Sequence, residues 1–330
     1  MRVGIYTPYA RQEAAYLAIA LAGQLTTSGH KVSLCTSSNS RGLRPVHPDW
    51  DSRVVSRKPN ELRAWGGQQQ HLICLQPLGL RLIGVPTTLV LRWHQEWWVN
   101  PAVLAEATYC LSPWPCVTRN FQSYFTGAAE LIECQGWNAG GQPRPNPLPS
   151  GNRRTGVLCY WGRQDDPLYL EQIVELLERL AAAHPEIELI CPLSKTIKPQ
   201  LRHRLEKLLH NDRGFMVQSA DLATLQHLIQ RSDLVWCLER QVEVGHTALL
   251  ALSSGVPVVA YRETPYTEFI EHGRQGWLID CPTWQHPAPE TTLAVLDQAL
   301  GELGQAVPNE GLTQRHQRFN GIWQSLLSLG

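Results

Sequence analysis

The chain has 330 residues, of which 43% are hydrophobic, and 29 Lys and Arg balance 29 Asp and Glu for a formal net charge of zero. That length suits two domains with cores of their own, and the composition is that of a globular protein rather than a disordered or fibrous one. No apolar run approaches the ~18 residues of a membrane span, and MRVGIYTPYA at the start reads as a strand rather than the apolar core of a signal peptide. The nine cysteines have no C-x-x-C pair, and several lie in apolar runs (Cys74, Cys159, Cys191, Cys237). Buried, reduced thiols in a cytoplasmic protein are expected, not a zinc site. Charge is uneven: residues 1–150 hold 13 Lys and Arg against 8 Asp and Glu, and residues 151–330 hold 16 against 21. A basic first half points weakly to an anionic partner, and scatter explains it equally well.

The chain opens on a strand, Arg2 to Tyr6, followed by an Ala- and Leu-rich amphipathic helix from Glu13 to Ser28 that Gly29 stops, and a second strand from Lys31 to Thr36. Strand, helix, strand at this spacing starts a parallel βαβ unit. Residues 37–65 lack pattern and read as loop. Leu72 to Leu75, Thr88 to Arg92 and Thr108 to Ser112 read as further buried strands. The cluster GGQPRPNPLPSG (Gly140 to Gly151) is the clearest linker. It divides a domain of residues 1–145 from one of residues 146–330. The second half repeats the plan: a strand from Thr155 to Trp161, a helix from Leu168 to His184, a strand from Ile187 to Cys191, and helices over Leu201 to Leu209 and Leu222 to Arg231. The final stretches, Thr291 to Leu303 and Gln314 to Leu329, read as helices, the last one expected to pack back on the first domain. The predicted class is α/β, with two Rossmann-like, doubly wound domains facing a central cleft.

Residues 233–280 carry the most information. An apolar strand from Leu234 to Leu238 leads through a loop to Gly245, and a helix-like run from Thr247 to Ser253 comes next. Ser254 and Gly255 stop that run; strands from Val256 to Tyr261 and from Gly276 to Ile279 complete the block. The helix start in such a βαβ unit offers free backbone N–H groups and a positive dipole end, for which phosphate is the usual guest.

The order of these pieces, with G-x-P-V-V-A at Gly255 to Ala260 and E-F-I-x-x-G-x-x-G-W-L at Glu268 to Leu278, resembles the donor-binding half of GT-B glycosyltransferases of the family 4 type. GVLCYWGRQ (Gly156 to Gln164) resembles that family's first strand in the same domain, which ends in Gly-Arg. The resemblance implies that Arg163 contacts a donor diphosphate, a pairing that suits a guanidinium; a plain surface Arg is the alternative. Where the family has a second phosphate cation, this chain has Leu168, and Lys195 is the candidate substitute. The family's E-x7-E pair falls on Val242 and Leu250, so both carboxylates are replaced. Glu243, one position away, is a candidate sugar contact. Gly245, His246 and Thr247 open the helix as candidate phosphate ligands, with ordinary helix capping as the competing reading. Glu268 matches a Glu that the family keeps beside the donor.

In the first half, VLRWHQEWW (Val90 to Trp98) comes after a buried strand. The family carries a His at such a strand end, near the reacting carbon, which makes His94 the candidate catalytic residue; a structural His in an aromatic loop is the alternative. Trp93, Trp97 and Trp98 flank it and can stack on sugars or bases, or fill the core. Arg11, in a first turn without the family's glycines, is a further acceptor-side candidate. Asp49 and Asp51 have D-x-D spacing but lie in an unpatterned loop, so no metal site is expected.

The resemblance implies a metal-independent hexosyl- or pentosyltransferase that retains anomeric configuration. Its donor would be a nucleotide diphosphate sugar, with a UDP-sugar ranked first, and no other cofactor is expected. The acceptor stays open between a modified base in DNA or RNA, a phosphorylated lipid and a glycan. Loss of both glutamates and of the second phosphate cation is also what a non-catalytic nucleotide-sugar or nucleic-acid binding module derived from such an enzyme would show, and the retained Arg163, Glu268 and His94 weigh against that second reading. A sugar-nucleotide epimerase or phosphorylase on the same fold has no supporting motif and ranks last.

Overall fold

The computed structural model describes residues 1–7, 13–36, 51–54, 58–79, 82, 84–91, 104–122, 129–134, 154–161, 167–193, 197–210, 213–218, 222–239, 245–281, 288–306 and 312–328. The chain forms two compact units. The first comprises Met1–Gly140 with Val242–His246 and Thr313–Gly330, and the second comprises Gly141–Gln241 with Thr247–Leu312. Each holds its own parallel sheet.

The sheet of the first unit has seven strands in the order β3-β2-β1-β4-β5-β6-β7. They are β1 (Arg2–Tyr6), β2 (Lys31–Thr36), β3 (Asp51–Val54), β4 (His71–Cys74), β5 (Thr87–Val90), β6 (Tyr109–Ser112) and β7 (Glu130–Glu133). All pairs are parallel, with Val3 opposite Val32 on one side and His71 on the other. The central strands are buried on both faces, which is why they read as nearly unbroken apolar runs. Helix α1 (Glu13–Thr27) buries Leu17, Leu21 and Leu25 at helical spacing, each contributing about 1.5–3 kcal/mol. Helix α2 (Pro59–Gly66) places Pro59 at its first position, and the Trp65 indole N–H donates to Ser33 Oγ at 3.0 Å, joining α2 to β2. Helix α3 (Pro115–Gln122) comes after β6.

The second unit has six strands in the order β10-β9-β8-β11-β12-β13: β8 (Thr155–Tyr160), β9 (Ile187–Leu193), β10 (Gly214–Gln218), β11 (Leu234–Cys237), β12 (Val258–Tyr261) and β13 (Gly276–Ile279). Its helices are α4 (Pro167–Ala183), α5 (Pro199–Leu209), α6 (Leu222–Arg231), α7 (His246–Ser253) and α8 (Pro289–Gly301). The core is built on Val157, Ile173, Leu177, Leu189, Trp236, Val259 and Trp277. Helix α9 (Leu312–Ser328) begins at the end of this unit, and its residues from Thr313 onward cluster with the first unit.

The structure corrects the loop reading of residues 37–65, because β3 and α2 lie there. β3 is a four-residue edge strand with one apolar side chain, so it shows no periodicity. β7, α3 and β10 are likewise elements that sequence patterning does not mark.

Candidate functional site

In an open parallel sheet, ligands bind beyond the carboxyl ends of the strands, at the point where the chain reverses its direction of winding. The second unit has that point between β8 and β11. From β8 the chain winds outward to β9 and β10, and from β11 it winds the other way to β12 and β13. The two strands are paired from Leu234 opposite Val157 to Cys237 opposite Tyr160, and the Leu238 N–H donates to the Tyr160 carbonyl at 2.7 Å as the ladder ends.

Helix α7 is the next helix after β11. Two glycines with left-handed backbone bound it, Gly245 at φ 74° and Gly255 at φ 79°, a region costly for residues with a Cβ. At its end Gly255 N–H donates to the Leu252 carbonyl and Val256 N–H to the Ala251 carbonyl, a closing pattern that turns the chain straight into β12. Thr247, Leu250 and the other residues from His246 to Leu252 are all buried, so α7 is set by packing rather than by amphipathicity. The N–H groups of its first turn have no intrahelical acceptor, and the dipole there favours an anion.

Of the sequence candidates, Gly245, His246, Thr247 and Glu268 fall on described residues. His246 is fully buried; burial lowers its pKa to about 3, so it is a neutral imidazole at pH 7. It belongs to the first unit, where its ring lies 5.9 Å from that of Tyr16. Thr247 is 3% exposed. Glu268 ends a short 3-10 turn, Tyr266–Glu268, after β12; its N–H donates to the Pro265 carbonyl and the residue is half-buried. Arg11, Trp93, His94, Trp97, Trp98, Arg163, Lys195 and Glu243 lie outside the described residues. Leu250, one of the two positions where the resemblance implies a lost glutamate, is fully buried, and its carbonyl accepts the Ser253 and Ser254 hydroxyls at 3.0 and 2.8 Å.

Several residues at the strand ends carry no sequence signal. The Tyr169 hydroxyl, on the first turn of α4, donates to the Leu238 carbonyl and lies 3.3 Å from the Tyr261 hydroxyl at the end of β12. Arg262 comes directly after Tyr261 and pairs with Asp280. These two, with Cys281, Ala288 and Thr291, line a cavity of ≈ 370 Å³ beside the start of α8. The Trp161 indole N–H, at the end of β8, is buried without a partner among the described residues. In the first unit Thr7, just past β1 and next to that sheet's own reversal between β1 and β4, is fully buried, its hydroxyl unpartnered among the described residues. Among the described residues no cluster of three or more His, Cys, Asp or Glu could hold a metal, and no helix is long and apolar enough to cross a membrane.

Residues 151–305 match the family model "Glycosyl transferases group 1". No curated protein sequence matches the chain. Three solved structures illustrate the likeness. Anabaena Alr3699/HepE in complex with UDP and glucose is 14% identical with a TM-score of 0.71, both chains covered in full. Sucrose-phosphate synthase from Thermosynechococcus elongatus is 14% identical with a TM-score of 0.66, covering 100% of this chain and 97% of that one. The S. aureus MnaA–UDP co-structure is 14% identical with a TM-score of 0.65, covering 98% and 97%. The chain therefore has the GT-B fold of two Rossmann-like domains, and its second half carries the match to group 1 glycosyl transferases.

Proposed function

We propose that the protein is a retaining glycosyltransferase that moves a sugar from a nucleotide diphosphate sugar, a UDP-sugar first, to an acceptor hydroxyl without a metal. The observation that carries this reading is the group 1 match over residues 151–305, which contains α7 and the β8–β11 reversal where a diphosphate would sit. UDP in the solved neighbours supports the choice of nucleotide. Arg163, Lys195 and the N–H groups of Gly245, His246 and Thr247 would take the diphosphate, Glu243 and Glu268 would meet the donor, and His94 would act at the reacting carbon. Leaving-group charge would then be stabilised by fixed dipoles and cations. The acceptor we propose is a glycan, approached from Arg11, Trp93, Trp97 and Trp98; the comparisons give no support to a base in DNA or RNA. The nine cysteines form no disulfide and eight of them are buried, which suits the cytoplasm.

The test is incubation with UDP-, GDP- and ADP-sugars in the presence of candidate glycans, reading free nucleoside diphosphate. Release that depends on acceptor establishes transfer. A second reading, a non-catalytic nucleotide-sugar binder, is favoured by Val242 and the buried Leu250, which stand where the resembled family has two carboxylates. It predicts thermal stabilisation by UDP with no release under any donor and acceptor pair.

A further inference from the structure

We propose that the groove between β7 and α9 in the first unit is a docking site for an extended segment of another protein. That segment alternates apolar and basic side chains and adds to the sheet as a further strand beside β7. The proposal is independent of the glycosyltransferase reading and uses none of its site residues. A cavity of ≈ 580 Å³ opens there, with Glu130, Ile132 and Glu133 of β7 on one wall and Arg318, Gly321 and Ile322 of α9 on the other. Both walls belong to the first unit, and the volume is that of a binding pocket. β7 is the last strand of its sheet and pairs on one side, with β6. The Glu130 N–H donates to the Thr108 carbonyl and the Cys134 N–H to the Ser112 carbonyl, so the even-numbered residues direct their main-chain groups at β6. In a parallel ladder the intervening residues face the other way. The N–H and C=O groups of Leu131 and Glu133 therefore point to the outer edge, where no described strand pairs with them. Such a row is a template for another strand. An open edge beside a groove suits recognition by strand addition, in which main-chain bonds give affinity and side-chain pockets select.

The side chains define what is selected. Half-buried Ile132 and Ile322 and buried Leu326 make the groove apolar inside. Two carboxylates stand against one guanidinium, and neither Glu130 nor Glu133 forms an ion pair among the described residues. The excess negative charge favours basic side chains and repels an acidic peptide or a phosphorylated lipid. Charges on an edge strand also block indiscriminate pairing, so the same two residues exclude as well as attract. Gly321 lies inside the 17-residue helix α9, where glycine is destabilising relative to alanine. Packing within the chain does not call for it, since an added Cβ would meet nothing within 4 Å. What its absence leaves is room on the groove wall for an incoming backbone.

The probe is a short capped peptide of alternating lysine and valine, added to the full chain and followed by calorimetry and amide hydrogen exchange. Saturable binding with slower exchange over 130–134 is expected, and no binding when glutamate replaces lysine. Two further peptides are methylated on the valine nitrogens or on the lysine nitrogens, which blocks one edge of the strand at a time. One of them should bind about tenfold weaker or worse, the scale of two lost main-chain hydrogen bonds, and the other should keep most of its affinity. Gly321→Leu, which places a side chain in the groove, should weaken the parent peptide about tenfold or more with a Tm no lower than wild type. Glu130→Gln with Glu133→Gln, both on the surface, should weaken it and flatten its salt dependence. Absence of saturable binding overturns the proposal. Equal affinity of the two methylated peptides overturns strand addition. Wild-type affinity in Gly321→Leu places the peptide elsewhere. Saturable uptake of a fluorescent fatty acid by the wild type and not by Gly321→Leu, with no peptide bound, assigns the cavity to an acyl chain instead.

Discussion

His71 and Thr88 share a hydrogen bond of 2.8 Å, Nε2 to Oγ1, inside the first unit's sheet, and the His71 ring stacks on Tyr109 with centroids 6.3 Å apart. Burial pushes the His71 pKa down to about 4, and that of His246 to about 3. Both imidazoles are neutral in the folded state, whereas the unfolded chain protonates near 6.5. The stabilisation is therefore complete above about pH 6.5 and drains away as pH falls towards 4, because the unfolded state then binds more protons. For His71 alone the shift corresponds to about 3 kcal/mol at its fullest. Thermal melts between pH 7 and 4 should show a steep fall in Tm, and His71→Gln should flatten it. An unchanged pH slope in the variant would remove His71 from the acid response.

His184 has the opposite sign. Its Nδ1 lies 2.9 Å from Glu186 Oε1 and its Nε2 2.7 Å from Asp297 Oδ1, which ties the end of α4 to α8. Burial pulls its pKa down, but the hydrogen bonds and charges of Asp297 and Glu186 outweigh that and raise it. Its contribution is present below about pH 6.5 and is lost as pH rises through the raised value. His184→Ala should lower Tm at pH 6 and have a smaller effect at pH 9. Both carboxylates are exposed, so solvent screens the clamp and its contribution is small. A Tm difference that grows with pH would contradict the histidinium clamp.

The fold was legible where packing leaves a period in the sequence. β1, β2, α6 and β13 run over the residues their patterns mark, because buried parallel strands and amphipathic helices impose a spacing. β7 (ELIE) and β3 (DSRV) are four-residue outer strands, too short and too polar to show one. At the candidate site, the start of α7 beside Gly245 was visible because a glycine before an apolar run marks a helix boundary. Tyr169 was not, because its partner is a main-chain carbonyl that any residue at position 238 would supply. Arg262 was hidden for a related reason: its place at the strand ends comes from the order of β12 and β13 in the sheet, which local sequence does not encode.

Gly245 should be sensitive in binding more than in folding. At φ 74° an added Cβ costs about 1–2 kcal/mol, and relief by rotating the backbone would swing the first N–H groups of α7 away from a diphosphate. Arg163→Ala should weaken UDP by about 1.5–3 kcal/mol, the range for hydrogen bonds to charged groups. Gly245→Ala should weaken UDP as well. Gly255→Ala, at the far end of the same helix, should lower Tm with little effect on UDP. Calorimetric titration of the three variants decides this, and equal UDP affinity in Arg163→Ala and wild type would place the diphosphate elsewhere.

His94 comes after β5 in the sequence, as His246 comes after β11, yet the two have different expected roles. His246 is buried and neutral beside Tyr16, so its expected part is packing and a backbone N–H. In the sequence His94 stands between Trp93 and Trp97-Trp98, in the half that the resemblance assigns to the acceptor, where an imidazole would meet charge that develops only as the glycosidic bond breaks. An interaction made mainly in the transition state lowers turnover and leaves ground-state binding alone. His94→Ala should thus depress kcat strongly, by the roughly 100-fold or more typical of a lost transition-state contact, with UDP affinity within about twofold of wild type. His246→Ala should instead lower Tm. The same assays at rising salt separate acceptor classes, since each phosphate contacted on a nucleic acid adds to the loss of affinity as counterions compete. A glycan acceptor predicts activity nearly flat between about 50 and 200 mM salt, to about twofold, against losses of about 1,000-fold or more for a protein making several phosphate contacts. Full activity in His94→Ala would take the residue out of the mechanism, and a steep fall with salt would return nucleic acid to the front.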